Sequence, residues 1–398
     1  MHIFHYIEWC LLALGLFGLL TSTVFLGMVF AGVTRLRRER QQERRQEVVS
    51  PVFLPAVSLF KPLHGAEPGL AENLRSFYEQ DYLLPAIEII FGARSEEDAG
   101  LAIARTVAAE YPNITTKFIA SGEPWAPNAK VCSLVRMAQE ASHDLWVVSD
   151  SDVQVGRDYL RRLVAPFADA RVGCVSCLYR GVGQVGVWSR LEAAAMSIEM
   201  SSGVAVANMM EPMQFALGPT MAARRACVQE IGGFESLADF CADDFVLGNR
   251  IAAHGHTVAL SSYTIDHIVL HAKFLDSIKH QVRWMKSTRF SRPKGHFGTG
   301  LTFATPFGLL VFAAALLLQR PWLGVAALAW SVVGRMLQAW VVGKYVVEER
   351  TLWQTVLLFP IRDLMGFFFW MLSYSSNRIL WRGEIYELLA EGRMRKAK

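Results

Sequence analysis

Apolar positions gather at the two ends of the chain, and the middle alternates between apolar runs and polar turns. Trp9–Val33 is a stretch of 25 residues without a charge, bounded by Glu8 on one side and by Arg35, Arg37 and Arg38 on the other. It is long enough to cross a hydrocarbon core of about 30 Å and predicts a spanning helix. A secretory signal fits poorly, because the apolar run is too long, no basic segment precedes it and no small-residue cleavage site follows. The Arg cluster predicts an outside N-terminus and a cytosolic domain after the helix. Three more apolar segments lie near the other end. Phe297–Gln319 is a charge-free run of 23 residues, Pro321–Gly343 is interrupted by Arg335, and Leu352–Tyr374 is interrupted by Arg362-Asp363. Charge at bilayer depth is costly, so two readings stand: the charges pair or act inside the helices, or these helices are interfacial or re-entrant. Three full crossings would carry the basic tail outside, against the positive-inside preference, and two to three C-terminal membrane helices are expected.

The middle has the pattern of a soluble α/β domain. Val57–Phe60 is a short apolar run, Ile87–Phe91 an unbroken β-favouring run and Leu145–Val148 a third such stretch, as in strands buried on both faces. Thr116–Ile119 and Val172–Cys177 are further strand candidates, while Gly69–Gln80, Ala99–Tyr111, Lys130–Ala141 and Tyr159–Ala168 have helical spacing. Strands alternating with helices predict βαβ units, a parallel Rossmann-like sheet and a ligand at the carboxyl ends of the strands. The expected organisation is an N-terminal transmembrane anchor over 1–34, a basic juxtamembrane linker over 35–51, the α/β domain over 52–296, membrane helices over 297–377 and a basic tail over 378–398.

Composition sharpens this division. Of the 398 residues 52% are apolar and only 19% charged, which excludes a disordered chain, and the apolar clustering excludes a wholly embedded transporter. The net charge of +4 resolves into two basic collars, Thr34–Glu47 and Arg378–Lys398, each net +3. The remainder is slightly acidic, so the charge points to anionic lipid headgroups and not to nucleic acid. The six cysteines are scattered, and Cys174-Val-Ser-Cys177 has no second Cys or His pair nearby to complete a zinc site, which predicts reduced, mostly buried thiols.

Four places carry chemistry. Asp150-Ser-Asp152 directly follows the strand Leu145–Val148, and two carboxylates on one extended turn suit Mg²⁺ or Mn²⁺ bridged to a diphosphate. Asp98 stands before a helix, as an N-cap or as a ligand-facing acid after the Ile87–Phe91 strand. Asp243-Asp244 precede another helical pattern, where one acid can complement the helix terminus and the other serve as a general base. His280-Gln-Val-Arg283-Trp284 is either a basic amphipathic helix at a membrane surface or a phosphate clamp with a stacking aromatic.

Taken together, acids at 98, 150, 152 and 244 followed by HxxRW resemble the order of membrane-bound glycosyltransferases of families 2 and 21, which end their acid series with (Q/R)xxRW. Lys61-Pro-Leu-His-Gly65, Asn73-Leu74, Gln80-Asp81-Tyr82, Asn128-Ala-Lys130, Gly218-Pro-Thr220, Gly232-Gly233-Phe234 and Trp381-Arg382-Gly383 with Tyr386 look like ceramide glucosyltransferases, and bacterial hopanoid-associated glycosyltransferases share most of them. Position 280 departs from the pattern with His. The resemblance implies a GT-A catalytic domain with one N-terminal and two to three C-terminal membrane helices. It implies nucleotide-sugar binding by Asp98, Lys130, Asp150, His280, Arg283 and Trp284, with a divalent metal on Asp150 and Asp152. Asp244 would be the base in an inverting transfer, with Asp243, Gly218 and Thr220 on the acceptor side.

The expected function is transfer of a sugar from a UDP-sugar to a membrane lipid hydroxyl, foremost glucose from UDP-glucose to ceramide. The alternative within the class is a hopanoid acceptor with UDP-N-acetylglucosamine, and the alternative of another class is a non-catalytic GT-A-like membrane binding protein. Met196–Met213, with five Met, is either a core helix or part of a lipid slot. On the slot reading, a chain cut before residue 301 keeps UDP binding and loses lipid transfer.

Overall fold

The computed structural model describes residues 2–49 and 53–397, so the outermost positions of the expected anchor and tail, and the join at 50–52, lie outside the described residues. In chain order the elements begin with α1 (His2–Val49), β1 (Val57–Pro62), α2 (Leu70–Tyr78), β2 (Ile87–Ala93), α3 (Ala99–Ala109), β3 (Thr115–Ala120), α4 (Ala129–Glu140), β4 (Leu145–Ser149), β5 (Val153–Gln154) and α5 (Tyr159–Val164). They continue with β6 (Val172–Gly183), α6 (Gly186–Ala194), α7 (Ser201–Met210), β7 (Thr220–Arg224), α8 (Arg225–Glu230), α9 (Asp243–Ala253) and β8 (Thr257–Val269). The C-terminal part holds α10 (Phe274–Ser291), α11 (Pro293–Gly300), α12 (Thr305–Leu317), α13 (Pro321–Tyr345), α14 (Leu352–Leu372), β9 (Arg378–Trp381), β10 (Glu384–Leu388) and β11 (Met394–Lys396). The chain divides into a helical unit (Met1–Glu39, Gly183–Glu211, His271–Asn377) and a sheet unit (Arg40–Val182, Pro212–Leu270, Arg378–Lys398).

The sheet unit is built on eight strands in the order β3-β2-β1-β4-β7-β6-β8-β5. The first four are parallel, with Leu59 opposite Ile89 and Val147. β1, β2 and β4 are buried along their whole length, and the polar residues that interrupt the first two are satisfied inside, Ser58 of β1 donating to the Glu88 carboxylate of β2. The other half departs from the expected parallel sheet: β7 runs antiparallel to β4 and β6, and β5 antiparallel to β8. In sequence β7 is only Thr-Met-Ala-Ala-Arg, and β8 mixes Ser, Thr, Asp and His into its apolar residues, so neither has a strong strand pattern. β1 and β4 lie side by side with their connections leaving in opposite directions, the position at which an α/β sheet opens a crevice at its carboxyl edge. The segment read as a basic tail folds into the antiparallel sheet β9-β10-β11 and belongs to this unit, donating from Met394 N to Asp239 O (2.7 Å) and accepting from Cys241 N at Gly392 O (3.0 Å).

Within the helical unit three helices are long and apolar enough to cross a membrane: α1 over His5–Glu43, α13 and α14. α1 does not stop at the Arg cluster but continues as helix to Val49. Gly15 lets the Val311 side chain approach α1, and Leu12, Leu19, Val311, Ala314 and Ala327 pack together, as small residues permit between apolar helices. The expected single helix over Phe297–Gln319 is instead two helices, α11 and α12, bent by 42° at a break. Gly300 and Pro306 flank the break. A Cβ on Gly300 would stand 2.4 Å from the Trp370 ring. The freed amides of Ala304 and Thr305 donate to Asp363 Oδ2 at 3.0 and 2.7 Å. Arg335 pairs with Asp363 (3.4 Å) and donates to Thr302 O (3.1 Å), and Arg362 pairs with Glu199 (3.0 Å). The charges that interrupt these helices are therefore paired, and Asp363 also caps a broken helix. All six cysteines are thiols and five are buried; burial pushes both Cys174 and Cys177 up to about 12.

Candidate active site

The carboxyl edge of the sheet unit collects most of the residues singled out in the sequence. Lys61, at the end of β1, is fully buried over the Phe77 ring and donates to the Asp150 carbonyl at 2.5 Å. Burial pulls its ammonium down to about 7, against the attraction of Asp150 and Asp152. The Asp150–Asp152 turn follows β4 and is held from several sides. Asp150 N donates to Pro219 O (3.1 Å), Asn73 Nδ2 donates to Ser151 O (3.1 Å), and Ser151 Oγ donates to Glu67 (2.8 Å). Asn73 and Pro219 thus have a physical reason to be in the motifs that contain them: they fix the backbone that aims the two carboxylates.

Asp98 is the N-cap of α3, accepting from Gly100 N at 2.8 Å, and its carboxylate also accepts from Gly65 N at 3.0 and 3.1 Å. The cap is real, and the same side chain anchors the loop leaving β1, whose Gly65 has a φ of 70°. Asn128 caps α4 through Val131 N (3.2 Å) and donates to Asp243 Oδ1 (3.1 Å). That cap directs Lys130 at Asp150 Oδ1, 2.6 Å away. Burial opposes the charge on Lys130, but Asp150, Asp243 and Asp244 outweigh it and raise its pKa. Burial raises the Asp150 carboxyl, with Lys130 pulling the other way.

Asp243 and Asp244 open α9. Asp244 Oδ2 would be 3.0 Å from a Cβ on Gly218, so only glycine leaves room for the carboxylate against the backbone. Burial, then the neighbouring Asp243 charge, pushes Asp244 up to about 6. Asp243 is buried with Oδ2 unpartnered among the described residues. Thr220 is buried in β7, its hydroxyl 2.6 Å from the Tyr159 hydroxyl.

Two groups in the sheet unit received no role from the sequence, although Arg382 stands in the Trp381-Arg382-Gly383 motif. His267 Nε2 lies 3.1 Å from Asp152 Oδ2. Arg382 sits at the β9–β10 turn with a φ of 50°, followed by Gly383 at 81°, a two-residue hairpin turn with both central residues left-handed. Its guanidinium is within electrostatic reach of Asp150, Glu67 and Asp98. The signal for Arg382 was the Arg-Gly pair between two alternating segments, and for His267 the Asp-His pair inside a strand. Asp152 and His267 thus bring a carboxylate and an imidazole side by side next to Asp150, donor types that Mg²⁺ or Mn²⁺ accepts.

His280, Arg283 and Trp284 lie on α10 in the helical unit. His280 Nδ1 stands 2.6 Å from Oε1 of the fully buried Glu192, which also meets His271 Nδ1 at 3.2 Å, while Ser277 donates to Oε2 at 2.7 Å. Burial acts to raise Glu192, but these partners outweigh it and hold the carboxyl down at about 2; burial lowers His280, and the Glu192 bond raises His271. The buried acid explains the His at 280. An imidazole 4.5 Å from the Trp284 ring satisfies Glu192 from a short side chain. Glu192 was hidden in the sequence, one of two acids in an Ala- and Met-rich stretch. That stretch continues as a π-helical turn over Ala195–Met200 and then α7, with Met196 buried and Met200 and Met210 exposed.

Paired carboxylates, the lysines Lys61 and Lys130 and an acid on a helix start thus gather in the sheet unit. The profile of glycosyl transferase family 21 matches residues 19–394, and the chain belongs to that family; it is a glycosyltransferase with a mixed α/β sheet and, among the described residues, one N-terminal and two C-terminal candidate membrane helices. Among its curated relatives, ceramide glucosyltransferase 1 of Caenorhabditis elegans is 22% identical over 355 residues, covering 87% of this chain and 74% of the relative. Ceramide glucosyltransferase 3 of the same organism is 23% identical over 350 residues, covering 86% and 74%. Among solved structures, the mannosyltransferase PcManGT from Pyrobaculum calidifontis in complex with GDP-Man and Mn²⁺ is similar with a TM-score of 0.46 and 17% identity, covering 88% of this chain and 99% of that one. S. aureus TarS (1–349) in complex with UDP-GlcNAc follows with a TM-score of 0.39 and 12% identity, covering 86% and 99%.

Proposed function

We propose that the protein is a membrane-bound inverting hexosyltransferase that moves glucose from UDP-glucose to the hydroxyl of ceramide. The observation that carries this reading is the position of Lys130: a charged, buried ammonium within reach of both Asp150 and the Asp243–Asp244 pair. A cation next to the carboxylate turn serves a departing diphosphate, and an acid with a pKa near 6 serves an acceptor hydroxyl. The names of the family 21 relatives support the glucosyl donor and the ceramide acceptor, and the long apolar helices support a lipid as acceptor.

In the proposed reaction Asp244 takes the proton of the acceptor hydroxyl as its oxygen bonds to the anomeric carbon. The bond from that carbon to the UDP oxygen breaks, and the sugar inverts from α to β. Gly218 gives the Asp244 carboxylate its place, and Asp243, Gly218 and Thr220 belong to the acceptor side. Lys130 and Arg382 offset the charge on the departing diphosphate, and Lys61 holds the backbone of the metal-binding turn. Mg²⁺ or Mn²⁺ held by Asp150, Asp152 and His267 would supply further positive charge to the diphosphate. Asp98 contributes to uridine binding through the loop it anchors. For His280, Arg283 and Trp284 the family motif supports a nucleotide-sugar role. The Arg cluster after α1 supports an outside N-terminus and a cytosolic catalytic domain.

The test is direct. Membranes carrying the protein are incubated with labelled UDP-glucose or UDP-N-acetylglucosamine and with ceramide or a hopanoid, and the lipid product is identified. Glucosylceramide with β linkage is expected. An N-acetylglucosaminyl hopanoid as the sole product would replace this reading, and no transfer from any donor would return the chain to a non-catalytic role.

A further inference from the structure

At the other end of the sheet unit a second group of metal-ligand side chains converges. Cys227 and Glu230 stand three apart on α8 and so share one face of that helix. His256 enters from the turn between α9 and β8, after Gly255 with a φ of 90°. Cys227 Sγ, a Glu230 carboxylate oxygen and a His256 ring nitrogen all lie within 4.8 Å of one another, with His256 Nε2 2.7 Å from Glu230 Oε2. The strand beneath has made room for them. A Cβ on Gly173 of β6 would stand 2.8 Å from His256 Cβ and 3.1 Å from Cys227 Sγ, so any larger residue would force the ligands apart.

The place is distinct from the carboxylate turn. Ser149, next to Asp150, pairs with Thr220, whereas Leu145 pairs with Arg224, next to α8. Four residue steps along β4 therefore separate the two ends, about 13 Å of strand. We propose that Cys227, Glu230 and His256 form a structural site for one divalent cation of the zinc class, completed by water, which clips α8 and the α9–β8 turn onto the start of β6. A thiolate selects zinc-like ions over Mg²⁺ or Mn²⁺, and imidazole and carboxylate complete a familiar mixed set. Donors around one zinc stand about 3–4 Å apart, so small side-chain rotations close the group. Cys227 is 3% exposed, and His256 and Glu230 are open enough to admit the ion. Burial and the Glu230 charge keep the thiol protonated without metal, so binding releases that proton to solvent.

The probe is Co²⁺, added to the full-length protein in detergent after chelation, with Mg²⁺ in excess to fill the carboxylate turn. One equivalent is expected to give a thiolate-to-cobalt charge-transfer band that Zn²⁺ abolishes, and Zn²⁺ is expected to raise the melting temperature. Cys227→Ser should remove the band and the Zn²⁺ shift; Glu230→Gln and His256→Ala should each weaken Co²⁺ binding at least tenfold while melting, metal-free, like the parent. Absence of the band in the parent, or its persistence in Cys227→Ser, overturns the proposal. Should Cys227→Ser fail to fold, unchanged Co²⁺ affinity in both other variants overturns it equally.

Discussion

Asp244 sits against Gly218 with its carboxyl raised to about 6, and both facts bear on turnover. As the proposed base it acts only when deprotonated, so transfer rises as pH climbs through about 6 and levels above it. A kcat/KM profile between pH 5 and 8 checks this; activity that is flat or falls across that window speaks against Asp244. Asp244→Asn keeps the shape and removes the base, with an expected loss in kcat on the order of 10²–10⁴ and UDP affinity unchanged by calorimetry. Arg382 acts on the other substrate. Arg382→Ala is expected to weaken UDP binding about tenfold, the scale of one charge-assisted hydrogen bond. A binding isotherm that matches the parent would remove it from the donor site. These residues differ in legibility. Asp98, Asp150, Asp152 and Asp244 announced themselves by standing at strand ends or helix starts. His267 did not, and Arg382 stood in a motif without a role, because strand pairing and a hairpin turn bring them close.

At the scale of elements, the break between α11 and α12 is held by one side chain. Asp363 accepts from Ala304 and Thr305 and pairs with buried Arg335. Asp363→Ala leaves two amides and a guanidinium unsatisfied in an apolar setting and should cost about 3–5 kcal/mol, read as a lower melting temperature in detergent. The sequence showed Arg335 and Asp363 as interruptions in apolar runs. That they belong to each other depends on how α13 and α14 pack, which no local pattern records. Short, largely apolar β-favouring runs did mark β1, β2 and β4, since burial on both faces leaves that trace even where Ser58 and Glu88 interrupt it. β7 and β8 escaped notice because short or mixed strands get their order from their neighbours.

For the whole molecule, a cut before residue 301 is less selective than the sequence suggests. It removes the C-terminal apolar helices α12–α14 together with β9–β11, which belong to the sheet unit and carry Arg382 at the β9–β10 turn. A chain lacking only residues 378–398 is therefore expected to lose nucleotide affinity although every apolar helix remains, and UDP titration of the purified protein reads this. Undiminished affinity would show that the C-terminal sheet serves stability alone.

The sequence by itself determined the candidate membrane helices α1, α13 and α14, the α/β core and the carboxylates at strand ends. Each follows from hydrophobic spacing or from the side-chain chemistry of a short stretch. Tertiary structure alone decided that half the sheet is antiparallel, that Glu192 lies under His280, that buried charges in the helices pair, and that Arg382 and His267 join the carboxylate turn. Those outcomes rest on contacts between residues far apart in the chain, where energy comes from burial and charge pairing in three dimensions and no local periodicity carries the information.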